Sequence, residues 1–186
     1  MKYDYRRVNA PYPQGDEAKK EIKRILADEN TLFIKVQTTG LDKTARVLTV
    51  TLMTADGHWT KRCFNPGMEL TEDTERYTGI TNEEAASRDS WESSASDIAE
   101  MLRGRAIVGW NIGFDTDAVK REMTRINAPN PFAYAESVCD AMELYAGAIG
   151  RETRFMKFAE AIGKKAPIDP EEYLEAEIEL LKKVAI

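Results

Sequence analysis

A chain of 186 residues is the size of one domain, and 42% hydrophobic residues are enough to bury a core. Its 26 basic and 32 acidic side chains leave a net charge of −6, which argues against a nonspecific polyanion binder but leaves room for a local basic groove. No apolar run is long enough to span a bilayer, and the charged N-terminus lacks a signal-peptide core, so the expectation is a cytoplasmic protein with no membrane contact.

Residues 1–14 are polar, carry three tyrosines and two prolines, and suggest an irregular arm. Residues 16–27 read as a helix capped by Asp16, with Ala18, Ile22, Ile25 and Leu26 at helical spacing. Thr31 to Gln37 is a short β-branched run read as a strand, and Thr38-Thr39-Gly40-Leu41-Asp42 is the turn that ends it. Residues 46–53 and 58–64 predict two more strands joined by an Ala55-Asp56-Gly57 hairpin, because Asp-Gly tolerates positive φ. The sheet therefore starts antiparallel.

Residues 70–82 read as loop with a short helical piece. A helix follows over 91–103, with Trp91, Ala95, Ile98, Ala99 and Leu102 on one face. Ala106 to Trp110 is continuously apolar and predicts a buried strand. Residues 114–125 predict a helix, 136–150 a strand edge and then a helix, and 155–163 a helix stopped by Gly163. The last helix opens at Asp169-Pro170, cap then first helical position, with Leu174, Ile178, Leu181 and Val184 as its apolar stripe. The order predicts an α/β fold with a mixed sheet of about five strands. Residues 1–30 are assigned to an N-terminal arm and helix, and 31–186 to the domain proper.

Cys63 and Cys139 match no metal-ligand spacing and are expected to be buried free thiols. Trp59, Trp91 and Trp110 are assigned to packing. Trp110 is also a candidate stacking residue, because it precedes Asn111 at the edge of the presumed site. His58, the only histidine, falls in the hairpin. Lys164-Lys165 and Arg103/Arg105 are read as solvated faces.

Four stretches together resemble the DnaQ-like 3′–5′ exonucleases of the DEDD superfamily, which have an RNase H-like fold. Phe33-Ile-Lys-Val-Gln-Thr-Thr-Gly-Leu-Asp42 stands where the family has Asp-x-Glu-Thr-Thr-Gly-Leu. Phe64-Asn-Pro-Gly67 through Tyr77-Thr-Gly-Ile-Thr81 is similar to its NPG…IHGIT passage. Leu102 through Asn111-Ile-Gly-Phe-Asp115 is close to LVGHNxxFD. The helix 171–184 stands where the family carries its last catalytic pair. The resemblance spans roughly residues 31 to 184.

The resemblance implies two divalent metals held by four carboxylates, with a His or Tyr near the last Asp acting on the water. Lys35 stands where the first Asp belongs and Gln37 where the Glu belongs, while Asp115 is intact. At about 4 Å and an effective dielectric of about 20, a like unit charge costs about 4 kcal/mol, and a divalent ion doubles that. Two registers are open for the last motif: one places Glu175 at the final Asp with Pro170 at the His, the other pairs Tyr173 with Glu177 in the Y-x-x-x-D spacing. The expected vestigial site is Lys35, Gln37, Asp115, Tyr173, Glu175 and Glu177, with Lys35 salt-bridged to Asp115. Thr38, Thr39, Gly40, Trp110 and Asn111 are the candidate substrate-binding residues.

The expected function is a catalytically degenerate exonuclease domain kept for binding a protein partner or the 3′ end of a single-stranded nucleic acid, with no cofactor. The alternative is a divergent, active metal-dependent 3′–5′ exonuclease on DNA or RNA. It would use Mg²⁺ or Mn²⁺ on Asp115 and Glu175.

Overall fold

The residues of Thr31–Thr38 decide how the chain is layered. In the computed structural model, which describes residues 3–6 and 11–186, this segment is strand β1. Alternate side chains of a strand leave on opposite faces. Phe33 joins one core, while Ile34 and Val36 join another. The sheet has five strands in the order β3-β2-β1-β4-β5. Strands β1, β2 (Val47–Met53) and β3 (Trp59–Cys63) are antiparallel neighbours; β1, β4 (Ala106–Gly109) and β5 (Ser137–Asp140) run parallel. The mixed α/β sheet is as expected, and so is the Asp56-Gly57 hairpin, where Gly57 takes φ 93° and Thr54 N–H reaches His58 O at 2.8 Å.

The helices are α1 (Gly15–Ala27), α2 (Glu72–Thr78), α3 (Asn82–Ala86), α4 (Trp91–Leu102), α5 (Gly113–Arg125), α6 (Ala141–Ala148), α7 (Phe158–Ile162) and α8 (Pro170–Val184). On one face of the sheet, α1, α6 and α8 bury Ile22, Ile25, Leu144, Leu174 and Leu181 with Phe33 and Val108. On the other face, α4 and α5 bury Trp91, Ile98, Leu102, Val119 and Met123 against Ile34, Val36, Val50 and Ile107. Trp91 lies 4.7 Å from the Phe64 ring, and full burial of one such side chain contributes about 2–3 kcal/mol. No helix among the described residues is long and apolar enough to cross a membrane.

Several local expectations change. Helix α1 begins at Gly15 with Gln14 as its cap residue; Asp16 lies inside the first turn, where a carboxylate favours the helix dipole without capping. Over 70–82 the expected short helical piece is α2, and a second short helix, α3, follows it from Asn82. Each is capped by a threonine, Thr71 on Thr74 N–H and Thr81 in a reciprocal capping box with Glu84. The helix expected from 155 starts only at Phe158. Upstream of it, the Met156 carbonyl is held by the Trp110 indole N–H at 3.0 Å, and the backbone there serves the core rather than a helix. Trp59, assigned to packing, is 54% exposed beside Lys61. Both cysteines are free thiols; Cys139 is buried, but Cys63 is only half-buried on edge strand β3.

Of the expected N-terminal arm, residues 1, 2 and 7–10 lie outside the described residues. Tyr3 to Arg6 run along β5: Tyr5 N–H donates to Val138 O, the Tyr3 hydroxyl donates to Glu143, and the Arg6 guanidinium reaches Phe132 O at 2.7 Å. Tyr12 and Pro13 lie against α6 at Gly147, where an added Cβ would stand 2.1 Å from Pro13 O. In an open helix Gly→Ala stabilises by about 1 kcal/mol. Here Gly147→Ala is expected to do the opposite, lowering stability by about 2 kcal/mol through the forced displacement of the arm. Thermal melts with limited proteolysis of the N-terminus will check it.

Candidate functional site

Parallel strands leave their carboxyl ends on one edge of a sheet, and ligands of α/β proteins bind in the crevice outside those ends. Pairing of β1 with β4 stops at Phe33–Val108, but β1 continues to Thr38. The chain leaving β4 turns away at Asn111, whose left-handed φ of 54° is one that Asn tolerates. That turn delivers Asp115 in the first turn of α5 to the side of β1. Asp140 ends β5 and caps α6, and α8 lays Tyr173 and Glu177 over the same edge. Thus Lys35, Asp115, Asp140, Tyr173 and Glu177 meet in one region from four elements, β1, α5, β5 and α8.

The acidic groups of the cluster are buried, and Lys35 is half-buried. Asp115 is 1% exposed; its Oδ1 accepts the Val36 N–H at 2.7 Å. Burial raises its carboxyl to about 6, with the Lys35 charge and the Val36 N–H pulling back. Glu177 is fully buried, and among the described residues neither carboxylate oxygen has a hydrogen-bond partner. Burial raises it to about 8; Lys35 opposes this, Asp115 and Asp140 add to it, and the Trp110 backbone N–H opposes it as well. Asp140 is raised to about 7, by burial first and then by Glu143, although it accepts N–H groups from Met142 and Asn111.

Lys35 does not form the salt bridge expected of it. No carboxylate among the described residues lies within 4.0 Å of its ammonium. Its Nζ sits over the Tyr173 ring, 4.1 Å from the centroid. Asp115 already has the Val36 N–H, and the ring face gives the ammonium an attractive seat from which its charge still reaches Asp115 and Glu177. Tyr173 stacks on Phe158 at 4.2 Å, and its hydroxyl is raised by burial and by Glu177.

Helix periodicity separates the two registers of the last motif. Tyr173 and Glu177 are four apart, share the inward face and are buried; Glu175 faces solvent. Gln37 is a tie: its Oε1 accepts the Thr49 hydroxyl at 2.8 Å, and its Nε2 donates to Thr78 O at 3.1 Å and Ile168 O at 3.3 Å. In the 38–40 turn, Thr38 Oγ1 donates to Gly40 O, Thr39 Oγ1 accepts Arg46 N–H, and Thr39 O accepts the Thr74 hydroxyl. Trp110 is 6% exposed between Tyr145 and Phe158, its N–H spent on Met156 O, while Asn111 is exposed at the crevice.

Sequence reasoning missed Asp140 and Glu122. Asp140 was legible as an acidic residue between the apolar Val138-Cys139 and a helix start. Glu122, 1% exposed, binds Arg46, Arg125 and the Val47 N–H and so fixes the 39–46 turn to α5; nothing local distinguished it from a surface glutamate.

No family model and no curated protein matches the chain. Solved structures do. The zinc-bound complex of E. coli exonuclease I with single-stranded DNA superposes with a TM-score of 0.65 at 16% identity, over 82% of this chain and 39% of that one. The complex with a dT13 oligonucleotide gives 0.66 at 16%, over 83% and 40%, and the SSB-Ct complex 0.63 at 17%, over 81% and 39%. The fold is RNase H-like. This chain spans about two-fifths of the exonuclease I structures it matches.

Proposed function

We propose that this RNase H-like domain binds the end of a single-stranded nucleic acid without cutting it, its metals replaced by charges of its own. The observation that carries the reading is the Lys35 ammonium seated on Tyr173, its charge acting on two buried carboxyl groups, Asp115 and Glu177. Near neutral pH, Asp115, at about 6, is mostly ionised, and Glu177, at about 8, is mostly protonated. Among Lys35, Asp115 and Glu177, one ammonium, one carboxylate and one proton then balance without an ion, while Asp140, near 7, adds a partial negative charge. The donor set does not fit two divalent ions: Asp115, Asp140 and Glu177 share one region, but among the described residues no three His, Cys, Asp or Glu are placed closely enough to hold one ion together, and Gln37 is spent on Thr49, Thr78 and Ile168. Hard divalent cations require several oxygen donors, and here a cation would also meet the lysine.

For binding, support comes from the fold shared with exonuclease I, which has been solved with single-stranded DNA, and from the crevice at the carboxyl ends of β1 and β4 with Asn111 exposed on its rim. The test pairs two measurements on the whole chain. With Mg²⁺ or Mn²⁺, 3′-labelled single-stranded oligonucleotides should stay intact; with the same oligonucleotides, a gel shift should appear at low salt and weaken as salt rises. Metal-dependent 3′ trimming that Asp115→Ala abolishes would establish the active alternative instead. No shift at any salt would leave a protein partner as the role of the fold.

A further inference from the structure

The sheet ends on β3, which among the described residues pairs only with β2. In an antiparallel pair alternate residues bond across the strands, and those between them turn their N–H and C=O outward. Thr54 N–H bonds His58 O and Phe64 N–H bonds Leu48 O. The even-numbered residues of β3 therefore face β2, and Trp59, Lys61 and Cys63 present their backbone groups to the outside. Free edges are usually blunted by a proline, a bulge or a charge aimed over the edge. Strand β3 has no proline, its register with β2 runs unbroken, and its lysine is held by Glu171 of α8 at 2.5 Å.

The two faces of this edge differ. On the α8 side Trp59 stands open to solvent, whereas Trp91 and Trp110 are buried. On the α4 side a hollow of about 440 Å³ adjoins β3, lined in part by Thr60, by the half-buried Leu32 and Met101, and by Arg103 and Arg105. Arg62, two residues beyond Thr60, leaves the strand on that same face. Among the described residues no carboxylate lies within 4.0 Å of the Arg62 or Arg105 guanidinium, and the Arg105 Nε is buried without a hydrogen-bond partner. Glu100 is the carboxylate of the hollow, and Arg103 answers it at 3.3 Å. This face is cationic on a chain whose net charge is −6.

We propose that the outer edge of β3 docks an extended acidic segment of a partner protein, added to the sheet as a further strand. Its backbone would pair with Trp59, Lys61 and Cys63, which supplies affinity, and its alternating side chains would supply specificity. On one face carboxylates reach Arg62 and Arg105, their methylene stems over Leu32 and Met101; on the other, apolar side chains cover Trp59. A nucleic acid has no alternating N–H and C=O groups with which to extend a sheet. A second copy of this chain, paired through β3, would bring two Arg62–Arg105 patches onto one face of the joined sheet, like charge against like. The proposal stands without the strand-binding function above, because β2 separates this edge from the crevice strand β1.

Four capped octapeptides test it on the full chain, with Glu alternating with Val, Ile, Phe or Tyr, beside the same peptides carrying Lys for Glu. Trp59 is the reporter. At least one acidic peptide should shift its emission to the blue with a dissociation constant below about 100 µM, and its lysine counterpart should bind at least about tenfold more weakly. Lys61→Pro removes an outward N–H and keeps the bonds to β2, and should weaken binding about tenfold or more. Arg62→Glu should do the same, while Lys20→Glu, exposed on α1 beyond the other end of the sheet, should not. Circular dichroism melts establish that the variants fold. Where Lys61→Pro does not, N-methylating the peptide at alternate residues removes the same ladder from the partner's side, and one of the two methylated sets should lose binding about tenfold. The proposal is overturned by no blue shift at millimolar peptide, by equal binding of the lysine peptides, or by binding indifferent to the lost N–H groups. A wild-type dimer in sedimentation that Lys61→Pro dissociates overturns it too, assigning the edge to a second copy.

Discussion

Lys35→Met is expected to cost under about 1 kcal/mol of stability at pH 5 and about 2–3 kcal/mol at pH 8.5. The sign follows from the two carboxyl groups it faces. Asp115 and Glu177 have folded values near 6 and near 8, raised from 3.8 and 4.5. A carboxyl raised on folding binds its proton more tightly in the native state. Its contribution is therefore complete below the unfolded value and is lost as pH climbs through the folded one. The wild type should lose stability from about pH 4 to about pH 8, and Asp140, near 7, adds to that slope. The Lys35 charge restrains the loss by favouring both ionised forms. At pH 5 there is little negative charge for it to attract, and methionine keeps the packing of the stem. At pH 8.5 its absence leaves buried carboxylates unopposed. Urea unfolding at pH 5, 7 and 8.5 measures this, and Glu177→Gln should flatten the wild-type decline between pH 6 and 8. An equal penalty for Lys35→Met at every pH would show that the side chain acts by packing alone.

How far this site was legible in the sequence depended on whether spacing or partnership decided each residue. Asp115 was legible because its position after Trp110-Asn111 sets it in the first turn of α5. The Tyr173/Glu177 pair was legible as one of two registers, and only the direction of the apolar stripe through Leu174, Ile178 and Leu181 selects it over Glu175. That stripe was in the sequence, and applied to the acidic residues it turns Glu177 inward. The seat of Lys35 was not legible. Electrostatics alone sends an ammonium to the nearest carboxylate, but Asp115 had already been engaged by the Val36 N–H and the Tyr173 ring lay within reach. Trp59 reads as a packing residue in the sequence; its exposure follows from the order of the strands, because β1 takes β4, a strand much later in the chain, on its other side and leaves β3 at the margin. Local pattern sets elements and faces; contacts between distant segments decide which polar atoms are already spent.

Carboxylates introduced at positions 35 and 37 should create a site for an ion. The double variant Lys35→Asp/Gln37→Glu is expected to fold less stably than wild type without metal and to gain about 5–10 °C in melting temperature with saturating Mn²⁺, an ion that leaves the wild type unchanged. The loss has two sources. The substitutions add negative charge beside Asp115 and Glu177, and they remove the amide that ties Thr78 O to Ile168 O. The gain has one source: a ligand at about a hundred times its dissociation constant adds about 2.7 kcal/mol to a protein that binds it only when folded. The two Gln37 hydrogen bonds also hold the 78–79 turn against the 163–168 segment, so their loss should loosen that wall of the crevice. Slow, Mn²⁺-dependent trimming of a 3′-labelled oligonucleotide by this variant, abolished by adding Asp115→Ala, would show that the charge at position 35 separates the chain from nuclease chemistry. A wild-type protein that already gains several degrees from Mn²⁺ would show instead that the lysine yields to the ion, and that the carboxylates of Asp115 and Glu177 suffice to hold it.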